Sequence, residues 1–351
     1  MLIRKALSYV DASLGLCLTI GFLILSPDGR GQKAVAAQVP SHPKPPEVVY
    51  AAYAALSGSA VPFWLGNDLG LFEKHGLGVN LIYINSSARV MSAILAGDIG
   101  VAQSNVGGVV AAYARGGDPV IIGGGVNKIN VSIYALPEIS RSGDLKGKKL
   151  GISRFGGLYD FSANYALKQW GLQPGKDVVL IQIGDIPSLM GALAANAIQA
   201  ATLQPPFTIR AKELGYNELL DLSRAGLEYQ TSALISTRSI IKKSPDTFRK
   251  FLRGFSEALA VFHTQKETAL RVAAKHLKGI DTFILEKTYE AYKEGWIPEI
   301  PYVNHAGMET AINLTPGVEK SRRIKVEEIV DESFVAELER QGFYRALYTK
   351  R

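Results

Sequence analysis

The chain has 351 residues, of which 47% are hydrophobic and 20% are charged, and its formal net charge at pH 7 is +7. A chain of this length can bury a large core, and a typical domain size of about 100 to 200 residues favours two lobes over one. The basic residues are dispersed, and no segment interleaves them with aromatic residues, so the composition argues against a nucleic-acid-binding protein.

Residues 1–37 have the pattern of a secretory signal peptide. Arg4 and Lys5 precede an apolar stretch over residues 14–25, and small residues that suit a cleavage site follow it. The stretch is shorter than the roughly 20 residues that a membrane-spanning helix needs, so an uncleaved anchor is the weaker alternative. The proline-rich residues 38–46 are predicted to form a linker. We therefore expect export to the periplasm.

Cys17 is the only cysteine of the chain. It follows Leu16 within the apolar stretch, whereas a lipid-attachment cysteine normally follows a small residue at the end of such a stretch. Cleavage near Ala37 would leave a chain without cysteine, which excludes disulfides, thiol nucleophiles and thiolate metal sites. It would also remove four Lys/Arg and two Asp/Glu residues and leave a net charge of +5.

The first predicted lobe begins with residues 47–136, in which strands alternate with helices. The β-prone residues 48–53 come first, and the polar residues 57–59 suit the cap of a helix over 60–74, which ends before Gly76. The remaining predicted elements are strands over 79–84, 99–104, 119–126 and 132–136 and helices over 87–96 and 105–114. This alternation predicts a doubly wound α/β sheet.

After Pro137 the alternation restarts, which predicts a second lobe over residues 137–231. Its predicted strands cover 148–153, 178–183 and 199–204, and its predicted helices cover 158–170, 187–195 and 206–214. Residues 232–351 begin with a strand-like segment over 232–241 and continue with long amphipathic helices, which are predicted to complete the first lobe. Crossovers near Leu136 and Thr231 would then form a hinge between two lobes that close on a small ligand.

Small polar residues follow most of the predicted strands. In open α/β sheets, ligands bind at the carboxyl ends of the strands, so these loops are expected to face one cleft. Several loops precede helices, whose free N–H groups and positive dipole ends favour an anionic or strongly polar small ligand. The alternative for each residue is helix capping alone. The predicted ligand-binding residues are Ser57, Gly58, Ser59, Ala60, Ser86, Ser87, Ser104, Asn105, Asn127, Phe155, Gly156, Gly157, Gln204 and Phe207.

Aromatic and arginine side chains near these loops are further candidates. Phe155 and Phe207 are predicted to lie on loops and wall the pocket, whereas aromatic residues at helical spacing more often fill a core. Arg89 and Arg154 are suited to pair with a carboxylate or sulfonate, or equally to form salt bridges.

The sequence does not indicate a metal site, a phosphate-binding loop or a nucleophile elbow. The histidines lack paired metal-ligand spacing, so we expect no metal. No GxxxxGK(S/T), GxGxxG or GxSxG motif occurs, so neither a phosphate loop nor a nucleophile elbow is indicated, and we expect no cofactor.

Five segments, in this order along the chain, match one family. They are LGLFEKHGLGVNLIYI at 69–84, AILAGDIGVAQSN at 93–105, DLKGKKLGIS at 144–153, WGLQPGKDVVLIQIGD at 170–185 and FVAELERQGF at 334–343. Over residues 47–345 the chain resembles the periplasmic substrate-binding proteins of nitrate-, sulfonate- and taurine-type ABC importers. This resemblance implies a type II periplasmic-binding fold, in which each lobe is a doubly wound sheet with helices on both faces and two hinge crossovers join the lobes.

The resemblance also implies a function. A non-catalytic extracytoplasmic receptor, expected to be a monomer, would deliver its ligand to an ABC permease driven by a separate ATPase subunit. The resemblance does not identify the ligand, which we predict to be a small anionic or polar organic molecule, either sulfonate-like, a carboxylate or a nitrogen heterocycle. In such proteins it is often held by the loops that here are residues 57–60, Ser86 and Ser87, Ser104 and Asn105, and residues 155–157.

Two alternatives remain at this point. The superfamily includes enzymes that use a cysteine nucleophile or a cysteine-rich motif, and this chain has neither. An enzyme on the same scaffold, acting on a small sulfur or aromatic compound through histidine or carboxylate chemistry, is one alternative. A sensor that presents its closed form to a membrane receptor is the other.

Overall fold

The computed structural model describes residues 47–315, 318 and 324–349. The predicted signal peptide and linker lie outside these residues. No helix within the described part of the chain is long and apolar enough to span a membrane.

The described residues form ten strands, which lie in two sheets. In chain order the strands are β1 (Glu47–Tyr53), β2 (Leu77–Tyr83), β3 (Val101–Asn105), β4 (Pro119–Val126), β5 (Ser132–Ala135), β6 (Lys148–Ile152), β7 (Val178–Gln182), β8 (Ala200–Leu203), β9 (Asn217–Asp221) and β10 (Ser232–Thr237). The first sheet has the order β2-β1-β3-β10-β4, and the second has the order β7-β6-β8-β5-β9. In each sheet four strands run in the same direction and one runs antiparallel to them, namely β10 in the first sheet and β5 in the second.

Helices connect and cover these strands. In chain order the described residues form α1 (Val61–Asp68), α2 (Leu71–Lys74), α3 (Ser87–Ala96), α4 (Val106–Ala114), α5 (Leu158–Gln169), α6 (Ile186–Ala194), α7 (Phe207–Glu213), α8 (Arg238–Lys243), α9 (Pro245–Thr264), α10 (Lys266–His276), α11 (Thr282–Lys293), α12 (His305–Leu314), α13 (Val326–Ile329), α14 (Ser333–Arg340) and α15 (Phe343–Tyr348). Short 3-10 turns cover Gly58–Ala60, Ser142–Leu145 and Leu222–Arg224.

The first sheet is buried on both faces. Successive residues of a strand point to opposite faces, and Ala51 belongs to one hydrophobic cluster while Ala52 belongs to the other, with both side chains fully buried. This double burial explains why the strand sequences read as nearly continuous apolar runs. The predicted α/β class, with two sheets and helices on both faces, is confirmed.

One predicted lobe boundary is wrong. Residues 132–136 were assigned to the first lobe, but β5 pairs with β8 and β9 of the second sheet, with Ser132 opposite both Leu203 and Asp221. A short, fully buried apolar strand is compatible with either sheet, and only its hydrogen-bonded pairing shows which sheet it joins. The chain therefore first crosses between the sheets over residues 127–131 and crosses back over residues 222–231.

Two predicted elements are shorter in the structure. The helix predicted over 60–74 is divided between α1 and α2, because Gly70 adopts a left-handed φ of 63°. The strand-like segment from residue 232 ends at Thr237, whose side-chain oxygen accepts a hydrogen bond from the backbone N–H of Ile240 at 3.1 Å and caps α8.

The two crossing segments are hydrogen-bonded to each other. The Gln230 Nε2 donates to the Val126 carbonyl at 3.2 Å and to Asn127 Oδ1 at 2.9 Å, and the Thr231 hydroxyl donates to the Lys128 carbonyl at 2.6 Å. Beside them, a Cβ on Gly124 would lie 2.4 Å from the Tyr302 carbonyl oxygen. Glycine at this position therefore lets two backbones approach closely beside the crossover.

Candidate ligand-binding site

A cavity lies where the carboxyl ends of strands from both sheets meet. Tyr53 and Asn105 end β1 and β3, while Ser153 and Gln204 follow β6 and β8. The cavity has a volume of about 50 Å³ and opens to solvent. Its lining residues are Tyr53, Ala54, Ala55, Ser59, Ala60, Ser86, Ser87, Gln103, Ser104, Asn105, Ser153, Arg154, Gly157, Leu158, Tyr159, Gln204, Thr231 and Ser232.

Eight of the predicted site residues line this cavity, and they come from both sheets. They are Ser59, Ala60, Ser86, Ser87, Ser104, Asn105, Gly157 and Gln204. The chain positions them as helix caps and strand ends, which is why strand-loop-helix patterns in the sequence revealed them.

Ser57 and Gly58 lie beneath the cavity wall. The Ser57 hydroxyl is buried and lies 2.7 Å from the Ser59 hydroxyl oxygen, so it holds that side chain in place. The Gly58 N–H donates to the Pro205 carbonyl at 3.3 Å, a bond that joins the two lobes directly. A Cβ on Gly58 would lie 2.4 Å from the ring of Tyr292, so only glycine fits there without displacement.

Asn127 and Phe207 lie elsewhere. Asn127 donates from Nδ2 to the Tyr302 carbonyl at 2.8 Å and accepts from Gln230, so it ties the crossover together. Phe207 is not on a loop as predicted, because it is the first residue of α7, and its side chain is buried in a hydrophobic cluster.

Phe155 and Gly156 occupy a loop outside the cavity. Phe155 is 53% exposed, and its N–H donates to Gln182 Oε1 at 3.2 Å. Gly156 has a φ of 74°, and its N–H donates to Asp160 Oδ2 at 2.8 Å. The aromatic walls come instead from Tyr53 and Tyr159.

The two wall tyrosines are held by neighbours. Tyr53 meets Trp64 edge to face, with ring centroids 5.7 Å apart, and Tyr83 at 5.4 Å. The Tyr159 hydroxyl donates to Gln204 Oε1 at 2.6 Å. Burial raises the pKa of Tyr53 and raises the pKa of Tyr159 strongly, so both phenols remain protonated near neutral pH.

Helix N-termini converge on the cavity. Ser86 caps α3 and accepts from the Arg89 N–H at 3.5 Å, and Asn105 caps α4 and accepts from the Gly107 N–H at 3.0 Å. Gly157 caps α5 without a side chain. Each helix adds a partial positive charge to the cavity.

Ser86 also has a strained backbone. It is a non-glycine residue at φ 135°, a region that residues with a Cβ rarely adopt. Strain of this kind is concentrated at functional sites.

Arg154 is the only charged residue among the described residues that line the cavity. Its Nε is buried and has no hydrogen-bond partner within the described protein, and no ion pair of Arg154 occurs there. Arg89, the other arginine candidate, does not line the cavity. The site therefore combines one cation with the positive ends of three helices.

Comparison with known proteins places this fold in a family. The model of the family described as NMT1/THI5 like matches residues 58–269, which is more than half of the chain. This chain belongs to the NMT1/THI5-like family.

Several relatives and solved structures resemble this NMT1/THI5-like protein. YtlA of Bacillus subtilis (strain 168) is 24% identical over 241 residues, which are 66% of this chain and 72% of YtlA. A structure from Bordetella bronchiseptica RB50 is 16% identical and covers 84% of this chain and 97% of its own, with a TM-score of 0.74.

Two further solved structures bear on the predicted resemblance. The periplasmic nitrate-binding protein NrtA of Synechocystis PCC 6803 is 15% identical, covering 85% and 90% of the two chains, with a TM-score of 0.67. The periplasmic aliphatic sulphonate binding protein SsuA of Escherichia coli is 20% identical, covering 82% and 92%, with a TM-score of 0.63. The predicted family resemblance and the two-lobed fold are confirmed.

Tyr53, Gln103 and Thr231 are among the lining residues of this NMT1/THI5-like protein that the sequence did not predict. Tyr53 reads as part of an apolar strand, and Gln103 precedes the two residues that were predicted. Thr231 had been assigned only to the hinge. A signal was present for Gln103, because an amide that directly follows apolar residues of a predicted strand needs a polar environment.

Proposed function

We propose that this protein is a non-catalytic solute receptor that binds a small organic anion between its two lobes and delivers it to an ABC permease. The single observation that carries the proposal is Arg154, an unpaired cation in a largely buried cleft. Arg154 is partly buried, and its buried Nε has no acceptor within the described protein, so an anionic ligand would complete the site.

The other lining groups support an anion. The N-termini of α3, α4 and α5 contribute positive partial charge, and no Asp or Glu is present among the described residues of the lining. An arginine can hold a carboxylate or sulfonate through two parallel hydrogen bonds. SsuA and NrtA, which share the fold, are named for binding a sulphonate and nitrate.

Binding without turnover is favoured by the residue types in the cleft. General acid-base chemistry uses His, Asp, Glu, Lys, Cys or a suitably tuned Tyr. Among the described lining residues only the two tyrosines belong to this set, and the Tyr159 hydroxyl already donates to Gln204. Ser59 lies beside Ser57 rather than beside a base.

The proposal includes the organisation of the chain. Residues 1–37 would direct export to the periplasm and be removed, and residues 38–46 would link the cleavage site to the fold. Residues 47–131 and 232–351 would form one lobe and residues 132–231 the other. The bonds from Gly58 to Pro205, and from Arg210 Nη1 to the Gly279 carbonyl at 3.3 Å, would break when the lobes separate. The receptor would act as a monomer with a permease and its ATPase.

A thermal-shift panel followed by calorimetry tests the proposal. The chain from residue 38 onward is screened with sulfonates, carboxylates, nitrate and nitrogen heterocycles, and at least one anion is expected to raise Tm. A ligand at 100 times its Kd stabilises by about 2.7 kcal/mol.

A matched pair of variants tests whether the charge of Arg154 binds the anion. Arg154→Gln is expected to weaken binding of the anion at least about tenfold, because a charged hydrogen bond contributes about 1.5 to 3 kcal/mol. Arg89→Gln, outside the cavity, should leave the affinity unchanged. Chemical conversion of a bound compound would contradict the receptor and favour the alternative, an enzyme on this scaffold.

A further inference from the structure

The side-chain amide of Gln103 is held in one orientation. Its Nε2 lies 3.0 Å from the carbonyl oxygen of Ser59 and 3.3 Å from the hydroxyl of Ser232. A carbonyl oxygen can only accept a hydrogen bond, so the atom that faces it must be the amide nitrogen. The reversed amide would place two acceptors against each other, and the assignment of the two atoms is therefore physically determined.

Packing strengthens this orientation. A Cβ on Gly125 would lie 2.9 Å from Gln103 Nε2, so the amide lies directly against the glycine backbone. Gln103 is on β3, between β1 and β10, and only 4% of it is exposed. Little space is left for the side chain to turn.

The other end of the amide is unsatisfied. Gln103 Oε1 is buried and has no hydrogen-bond partner within the described protein, although the residue lines the cavity. An amide oxygen can only accept. A buried acceptor without a partner is unfavourable, which indicates that a bound molecule satisfies it.

The cavity thus contains both an unpaired hydrogen-bond donor and an unpaired hydrogen-bond acceptor. Arg154 Nε, also buried and without a partner, can only donate, whereas Gln103 Oε1 can only accept. The Ser104 hydroxyl, likewise without a partner, can do either. An ion made of acceptor oxygens alone would satisfy Arg154 and leave Gln103 unpaired.

We propose that the ligand carries an O–H or N–H donor as well as its acidic group, and that Gln103 selects such ligands over anions that only accept. The inference rests on the proposed anion-binding function. Because no Asp or Glu is present among the described lining residues, nothing there compensates an ammonium group. A neutral donor, as in a hydroxy acid, therefore fits better than an amine.

Two matched pairs of probes test the inference by calorimetry. They are 2-hydroxyethanesulfonate with ethanesulfonate, and glycolate with acetate, and in each pair only the first member has the hydroxyl donor. The hydroxylated member is expected to bind at least about tenfold more tightly, because the other leaves Gln103 Oε1 unpaired.

Two variants test whether Gln103 causes the preference for the hydroxylated ligand. In Gln103→Met, which keeps the side-chain length and removes the amide, the hydroxyl preference should fall below about threefold. In Ser104→Ala, which leaves the Gln103 amide in place, a preference of at least about tenfold should persist. If Gln103→Met does not fold, the affinity ratios of the two probe pairs, measured on the wild-type protein and on Ser104→Ala, still test the donor requirement.

The outcomes separate the two proposals. Equal affinity within both pairs, or tighter binding of ethanesulfonate and acetate, would overturn the donor requirement while leaving anion binding intact. Loss of the preference in Ser104→Ala, or its retention in Gln103→Met, would overturn the role of Gln103. If no member of either pair binds, organic-anion binding itself is contradicted, and the donor requirement with it.

Discussion

The imidazole ring of His276 stacks on the indole ring of Trp64, with centroids 4.6 Å apart and planes inclined by 10°. Trp64 in turn meets Tyr53, which lines the ligand cavity. The Nε2 of His276 lies 3.0 Å from Asp68 Oδ2, and the same oxygen accepts from Lys275 at 2.9 Å. An ion pair at the end of α10 is thus connected to the cavity wall through one stacked and one edge-to-face aromatic contact.

Replacing Asp68 by Asn is expected to lower Tm at neutral pH, and the difference from wild type should shrink below about pH 4. Burial raises the pKa of the Asp68 carboxyl, but hydrogen bonds from Lys275 and His276 outweigh it and hold the pKa below its usual range. A carboxyl with a lowered pKa stabilises the fold above the pKa of the unfolded chain. That stabilisation is lost as the pH falls through the folded pKa.

Thermal unfolding between pH 3 and pH 8, followed by circular dichroism, checks this prediction. Asp98→Asn, at an exposed position, is the control and should change Tm little at any pH. A difference between wild type and Asp68→Asn that stays constant down to pH 3 would show that the carboxylate charge is not the cause.

Removing the Tyr159 hydroxyl is expected to affect both stability and affinity. Tyr159→Phe leaves the buried Gln204 Oε1 without its 2.6 Å donor at the cavity wall, at a cost of about 1 to 3 kcal/mol in the free energy of unfolding. Tyr134→Phe removes a 3.1 Å bond to Glu218 away from the cavity and should leave the affinity unchanged. Urea unfolding and calorimetry of both variants measure the two effects. Unaltered anion affinity in Tyr159→Phe would show that the Tyr159 hydroxyl does not contribute to binding.

A methyl group at Gly58 is expected to destabilise the protein by about 1 to 3 kcal/mol, because it overlaps the buried ring of Tyr292. The matched control is Gly191→Ala in α6, where a Cβ would meet nothing within 4 Å. Alanine there should stabilise by about 0.5 to 1 kcal/mol through helix propensity. Urea denaturation measures both, and a Gly58→Ala variant as stable as wild type would show that Tyr292 can move aside.

Strain at Ser86 predicts an order of stability between two variants. Ser86→Gly and Ser86→Ala both remove the hydroxyl that caps α3, but only glycine adopts a φ of 135° without strain. The glycine variant is expected to exceed the alanine variant in unfolding free energy by about 1 to 3 kcal/mol. The comparison is made by urea denaturation, and equal stability would mean that the backbone relaxes when the side chain changes.

Local patterns in the sequence determined much of this protein. The alternation of apolar runs and amphipathic segments predicted the α/β class, and capping residues such as Ser86 and Asn105 placed cavity loops at strand ends. Both features depend on neighbouring residues along the chain, so no long-range information was needed.

Only the tertiary structure decided the rest. The sheet that β5 joins depends on pairing with strands far away in sequence, and Phe207 is buried because α7 turns it inward. Phe155, equally aromatic, stays exposed. The cavity offers an unpaired acceptor because the Ser59 carbonyl and the Ser232 hydroxyl both contact the nitrogen of the Gln103 amide. These three residues belong to three separate segments of the chain. Hydrogen bonds between distant segments fix which polar atom remains free, and no local pattern encodes that choice.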